Sequence, residues 1–231
     1  MSQTAEYVRR LSNLQEGQRS QLRRVAGQPL DATLQGFDLF TGLWWPLRAI
    51  SPATPRREPS WLVAKLFSAF HVPHMRPESA AGPSLPAVLG RCEPPRPACT
   101  DAEPLSSAVP DREPGKSQFI AARKHRRRFD ALLCSALSSL EPHLCWALGE
   151  VSRAVAGHVP HAKDVKGIDW VYLLDDLWLW DGQYNPHHPP QKNRLDAHER
   201  LVHCGEAHRT PQDLWACEYL NAANHLLGRR T

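Results

Sequence analysis

Arginine dominates the residues of this chain that could do chemistry, and it comes in two blocks. The first lies in Tyr7 to Ala26, YVRRLSNLQEGQRSQLRRVA, and the second in Arg123 to Leu133, RKHRRRFDALL. A guanidinium stays charged at any physiological pH, so it is not a proton shuttle; its planar fork matches phosphate oxygens. Between Lys116 and Arg128 there are six cations and no acid. Solvated helix faces ordinarily mix signs, because opposite charges three or four residues apart attract and like charges repel. An uncompensated face is unfavourable unless a polyanion neutralises it, and the alternative for such a patch alone is a solubilising surface. The chemistry implied is the holding of a polyanion by fixed charge, not the making or breaking of bonds.

Helices have to position these groups. Around Leu11, Tyr7, Val8, Leu14 and Gln15 fall on one side and Arg9 and Arg10 on the other. Gly17 is expected to break this helix, and Gln18 to Val25 to form a second, with Leu22 and Val25 inward, Arg24 outward and Arg23 on the flank. Phe37 to Leu47 reads as a short aromatic helix limited by Pro46. Trp61 to His71 reads as a strongly apolar helix, with Pro59 in its first turn and Pro73 beyond its end. The basic helix is expected over about Ser117 to Ala136. With Phe129 at the centre of its apolar face, Ala122, Leu132, Leu133 and Ala136 fall within about 60° at roughly 100° per residue. Arg123, Lys124, Arg127 and Arg128 fall opposite. Arg126 sits at the edge, its stem covered and its head in water. Leu137 to Ala156 and the Trp-rich Ile168 to Asp181 follow as helices. Thr210 and Pro211 suit an N-cap and a first helical position, and the last helix runs to about Leu227. No segment shows the alternation and tight turns of a sheet. The fold class expected is all-α, a bundle of about eight to nine helices in two lobes with two polar insertions.

Those lobes are residues 1–75 and 117–231. Between them, 76–116 reads as a Pro-rich insertion or linker in which only Ser84 to Arg91 looks briefly helical, and a second polar insertion covers 182–209. A chain of 231 residues that is 42% hydrophobic can bury a sizeable core. The net charge is only +4, so where the charge sits matters more than its sum. No run of about 18 apolar residues occurs, so no membrane partner is expected. MSQTAEYVRR has no apolar stretch, and an export signal is not expected. The six irregularly spaced cysteines are accordingly expected as reduced thiols in the cytoplasm.

Other chemistry is poorly supported. His198, His203, Cys204 and His208 match no zinc spacing, nor do Cys92 and Cys99, so no metal is expected. Asp175, Asp176 and Asp181 would suggest metal-assisted hydrolysis, but neighbouring carboxylates on a helix diverge by about 100° and do not converge on one ion. Helix solubility, or contact with a partner's cations, is the expected role. Nucleotide loops and nucleophile elbows are absent, so neither catalytic residues nor cofactors are expected. Among eight tryptophans, Trp61, Trp146, Trp170, Trp178 and Trp215 lie in apolar stripes and are expected in the core. Trp44 and Trp45 are adjacent and cannot both face inward, so one is expected at an interface. Zinc fingers, RNA-binding sheet signatures and GxxG clamps are missing too, so contacts to backbone rather than bases are expected.

The chain resembles a known family. YVRRL-x5-G-x4-LRRV is similar to the opening of the small subunit of the type I-E CRISPR surveillance complex, Cascade, in the CasB family. WLVAKLFSAFHVPH resembles that family's second apolar helix, and RRRFDALL followed by IDWVYLLDDLWLWD resembles its C-terminal half. The insertions make this chain longer than typical members, and QDLWACEYLNAA lacks the arginines that often precede the last helix; Arg209, Arg229 and Arg230 are the available substitutes. The resemblance implies an all-helical, non-catalytic subunit. It would stabilise the guide RNA–target DNA hybrid and the displaced strand of the R-loop, beside other Cascade subunits and a second copy of itself. By motif, Arg23 and Arg24 match the family's arginines at the end of the second helix, and Arg127 and Arg128 its downstream pair. Arg123, Lys124 and Arg126 join them on the helical-face argument alone. Two readings of other classes stay open: an adaptor whose basic faces bind acidic proteins, and, less supported, a metal-dependent nuclease.

Overall fold

In a computed structural model of the protein, the described residues are 3–29, 34–51, 54–71, 83–95, 114–181 and 210–228. They form nine α-helices and one 3₁₀ turn, with no strand among them. The helices are α1 (Gln3–Ser12), α2 (Glu16–Arg24), α3 (Leu34–Ile50), α4 (Arg57–Phe70), α5 (Leu85–Cys92), α6 (Pro114–Leu133), α7 (Glu141–Val155), α8 (Trp170–Leu179) and α9 (Pro211–Gly228), with the 3₁₀ turn at Leu137–Ser139. The all-α bundle expected from periodicity is the fold observed.

The centre is α4. Every residue from Pro59 to Ser68 is buried, because a helix apolar all round must be surrounded by others. It lies against α1, α2, α3, α7 and α8. Its one internal cation, Lys65, is satisfied three ways. Nζ donates to Glu141 Oε2 at 2.6 Å and to the Gln28 carbonyl at 3.0 Å, and it sits 5.4 Å from the centre of the Trp61 ring. A single cluster of buried residues runs from Tyr7 in α1 to Tyr219 in α9, so helices from both ends of the chain share one core.

Several boundaries differ from the sequence expectation, each for a packing reason. The first break falls at Asn13 to Gln15, not at Gly17. Leu14 is buried there, and Gln15 N–H donates to the Gln18 side chain at 3.0 Å, which starts α2 early and leaves Gly17 in its first turn. Pro46 does not limit α3, which runs through it to Ile50. Burial of Phe40 and Leu47 on either side offsets the one backbone bond that the proline removes. The basic helix begins earlier than expected and stops at Leu133.

In the stretch expected to be an insertion, α5 is seated by α9. Ser84 caps it, accepting from Ala87 N–H at 3.4 Å and donating to Glu218. Gly90 is where the two helices meet: a Cβ there would lie 2.3 Å from the Tyr219 carbonyl oxygen. At the start of α9, Thr210 and Asp213 cap one another, the Thr210 hydroxyl accepting from Asp213 N–H at 3.2 Å and Asp213 accepting from Thr210 N–H at 3.1 Å.

Asp175 and Asp176 of α8 are not solubilising groups, which corrects the sequence expectation. Both are buried: Asp175 accepts from the Thr4 hydroxyl at 2.7 Å and Asp176 from Trp215 Nε1 at 2.8 Å. They are internal acceptors that tie α8 to the first and last helices.

Candidate functional site

The α6 face is built as the 100° periodicity demands. Ala122, Phe129 and Leu132 are buried, while Arg123, Lys124, Arg127 and Arg128 are exposed. None of these four forms an ion pair among the described residues. Arg128 lies over the Trp146 ring at 5.8 Å from its centre. Arg126 is different. Its Nε donates to Oε1 of buried Glu93 at 2.7 Å, so one of the six cations that looked uncompensated in sequence is paired by a residue at the end of α5.

Arg23 and Arg24 stand exposed at the end of α2. Arg23 pairs with Glu16 two turns earlier, and Arg24 has no ion pair among the described residues. The structure does not support these two residues and the α6 set on one helix pair. The first rest on α3 and α4, whereas α6 packs on α7 and α9; α4 against α7 is one link between the two groups. Another is the bond from Gly27 N–H, just past α2, to Glu141 at the start of α7, at 2.7 Å.

Beneath α6 the structure opens a cleft of about 350 Å³ that sequence reasoning did not anticipate. Lys124, His125 and Arg128 line it from α6, and Trp146, Glu150 and Arg153 from α7. His158 and His161 line it from the loop after α7, and Cys92 from α5. His161 donates from Nε2 to the Cys92 carbonyl at 3.3 Å, since a carbonyl only accepts. Burial pushes the Cys92 thiol up to about 12, with Glu150 adding to it, so it is an inert thiol. Trp146, expected in the core, is only partly buried and walls this cleft. Arg153 drew no notice in the sequence because Glu150, to which it bonds at 3.0 Å, stands one turn away and makes the face look balanced.

Other candidates separate cleanly. Trp44 turns in, donating to the Pro55 carbonyl at 2.9 Å, and Trp45 is 58% exposed. Ile50, Phe119 and Ile120 are exposed too, the last two on α6 just before its cations. No group of three or more metal-ligating side chains occurs among the described residues. His198, His203, Cys204, His208 and Cys99 lie outside them. No helix among the described residues is long and apolar enough to cross a membrane.

An all-α bundle that turns one arginine-rich helix face outward defines a class: a helical protein with a built cationic surface. Residues 18–201 match the model of the family CRISPR-associated protein Cse2, and the chain belongs to that family, the small subunits of type I-E Cascade. The matched stretch runs from α2 through α8, leaving α1 and α9 outside it. The family is one of structural subunits that associate with the other subunits of the complex. Among curated proteins, none matches the chain.

Proposed function

We propose that this chain is a non-catalytic Cascade subunit that holds nucleic-acid backbone on its basic helix faces. It would stabilise the guide RNA–target DNA hybrid and keep the displaced strand from re-annealing. One observation carries this reading: Arg123, Lys124, Arg127 and Arg128 share an exposed face with no acid paired to them among the described residues. Exchanging a DNA duplex for a guide–target hybrid is nearly balanced in energy, so a few phosphate contacts suffice to tip it. Arg24 adds from α2 a fifth cation unpaired among the described residues, and Arg23 and Arg126 serve beside them while bonded to Glu16 and Glu93. Five cations neutralising a single strand give a log–log salt slope of roughly −3 to −4. The test is titration of labelled single-stranded DNA across a salt series. A slope near zero, or affinity unchanged in an Arg123→Glu, Lys124→Glu, Arg127→Glu variant, would sink it.

A second reading has its own observation. Trp45 and Ile50 are exposed large apolar groups near the C-terminal end of α3, which favours contact with a protein neighbour. Within Cascade the two readings are compatible: the α3 end docks a neighbouring subunit or a second copy, and α6 faces nucleic acid. Trp45→Ser that assembles normally with the other subunits would count against the docking role.

A further inference from the structure

The cleft beneath α6 carries a feature that charge alone does not explain. His125, which lines it, is only 7% exposed. Its Nδ1 lies 2.9 Å from the Tyr219 hydroxyl, while its Nε2 is buried with no hydrogen-bond partner among the described residues. A buried polar atom without a partner is unfavourable, and native structures hold few of them.

The surrounding bonds determine what that nitrogen presents. Glu93, ion-paired with Arg126, is a carboxylate and can only accept. Tyr219 therefore donates its one hydroxyl hydrogen to Glu93 Oε2, at 2.8 Å. The Tyr219 oxygen can then only accept from His125, so Nδ1 carries the ring hydrogen. Burial, the largest influence, lowers the His125 pKa and keeps the ring neutral at pH 7. Nε2 is thus a bare acceptor, closed off from solvent in this structure, and an N–H or O–H reaches it only when a side chain beside it shifts. Lys124 and Arg128 beside it attract negative charge, and Trp146 supplies an aromatic wall. A ligand that joins a hydrogen-bond donor, a flat ring and a phosphate is a nucleotide.

We propose that this cleft takes one unstacked nucleotide from a single strand lying along α6. The base-edge N–H donates to His125 Nε2, the ring packs against Trp146, and the phosphate sits between Lys124 and Arg128. Every base carries an N–H on its pairing edge, so the pocket tolerates any sequence. Arg128, which covers the indole in this structure, is exposed, and binding in this way requires its guanidinium to leave the ring for the phosphate. This deepens the proposed backbone-binding function and rests on it.

The experiment compares two labelled strands by fluorescence anisotropy with the full-length chain: oligothymidylate, and the same length of abasic residues. The pocket predicts that the abasic strand binds about tenfold more weakly, as loss of stacking on an aromatic platform does. His125→Asn keeps an N–H donor toward Tyr219 and removes the Nε2 acceptor; Trp146→Leu removes the wall. Each is expected to bring oligothymidylate down to the abasic affinity, with abasic binding unchanged. Equal wild-type affinity for the two strands overturns the pocket and leaves backbone binding standing. Failure to bind either strand overturns the backbone reading, and the pocket with it. Complete displacement of the strand by millimolar thymidine monophosphate would make this a free-nucleotide site and overturn the strand-held base.

Discussion

Tyr219 donates its hydroxyl hydrogen to Glu93 at 2.8 Å, and this bond joins the last helix to the end of α5. Through Glu93 the connection reaches Arg126, and through the same tyrosine oxygen it reaches His125, so two neighbours on α6 are held from behind. Phe129 stacks on the Tyr219 ring at 4.1 Å between centres, which fixes the hydroxyl's position. Tyr219→Phe keeps the stack and removes both bonds. It is expected to cost about 1–3 kcal/mol, the penalty of leaving buried polar groups short of a partner. Urea unfolding of the variant measures it; an unchanged midpoint would mean water replaces the hydroxyl.

Arg126 and Arg127 are neighbours with opposite roles. Arg127 is exposed and unpaired among the described residues, whereas Arg126 faces the carboxylate of buried Glu93. Arg127→Glu is expected to weaken binding to single-stranded DNA with no loss of melting temperature. Arg126→Glu sets two carboxylates together and costs on the order of 2 kcal/mol, less than a fully buried broken pair because the arginine is partly exposed. Equal melting temperatures for the two variants would show that Glu93 rearranges to avoid its new neighbour.

Lys65 and Glu141 form an internal ion pair, with side-chain exposures of 4% and 17%. Glu141→Ala strands the ammonium inside α4 and is expected to cost about 3 kcal/mol. Lys65→Met with Glu141→Leu removes both charges and is expected to recover most of that loss. A double variant no more stable than Glu141→Ala would show that the pair's bonds to Gln28 and Gly27, not its charge, hold α4 and α7 together.

Gly90 has no room for a methyl group. A Cβ would stand 2.3 Å from the Tyr219 carbonyl and 2.9 Å from the Ala222 Cβ, so Gly90→Ala must push α9 off α5. Overpacking of this kind costs about 1–3 kcal/mol, and it displaces Tyr219 as well. The melting temperature should fall, and proteolysis should cut α9 sooner. A variant as stable as the parent would mean the two helices slide freely past each other.

Acid should destabilise the fold at mildly low pH. Burial, reinforced by Arg19, lowers the His71 pKa from 6.5 to about 4. The ring is stacked on Phe67 at 4.2 Å and faces Trp170. The unfolded chain therefore takes up this proton at higher pH than the folded one, so stability is present above about 6.5 and lost as pH falls toward 4. His125 is shifted in the same direction and adds to the loss. Glu6, held down to about 2 chiefly by its bond to Arg9, extends the decline between 4.5 and 2. Thermal melts from pH 7 to pH 4 should fall by a few degrees, and His71→Phe should flatten the upper part of that fall. An unchanged slope in the variant would show that His71 does not set the fall.

The sequence by itself determined the helices, the faces they bury and the outward arginines. Tyr7, Leu22, Phe129 and Leu132 are buried and Arg24, Arg123 and Arg127 exposed because side-chain direction on a helix repeats every 3.6 residues, a purely local property. The N-cap at Thr210 was equally legible, because a cap depends on residues close in the chain; the structure adds Asp213 as its reciprocal partner. Tertiary structure decided everything that depends on partners far apart in sequence. Glu93 pairs Arg126, Thr4 and Trp215 claim the two α8 carboxylates, and α9 seats α5 against Gly90. The helix α3 survives its proline only because its aromatic residues have a core to enter. The cleft beneath α6 belongs wholly to this second kind. Lys124, Arg128 and the unsatisfied His125 nitrogen share α6, but the indole comes from α7 and the remaining walls from α5 and the loop after α7, and no local pattern records that these meet.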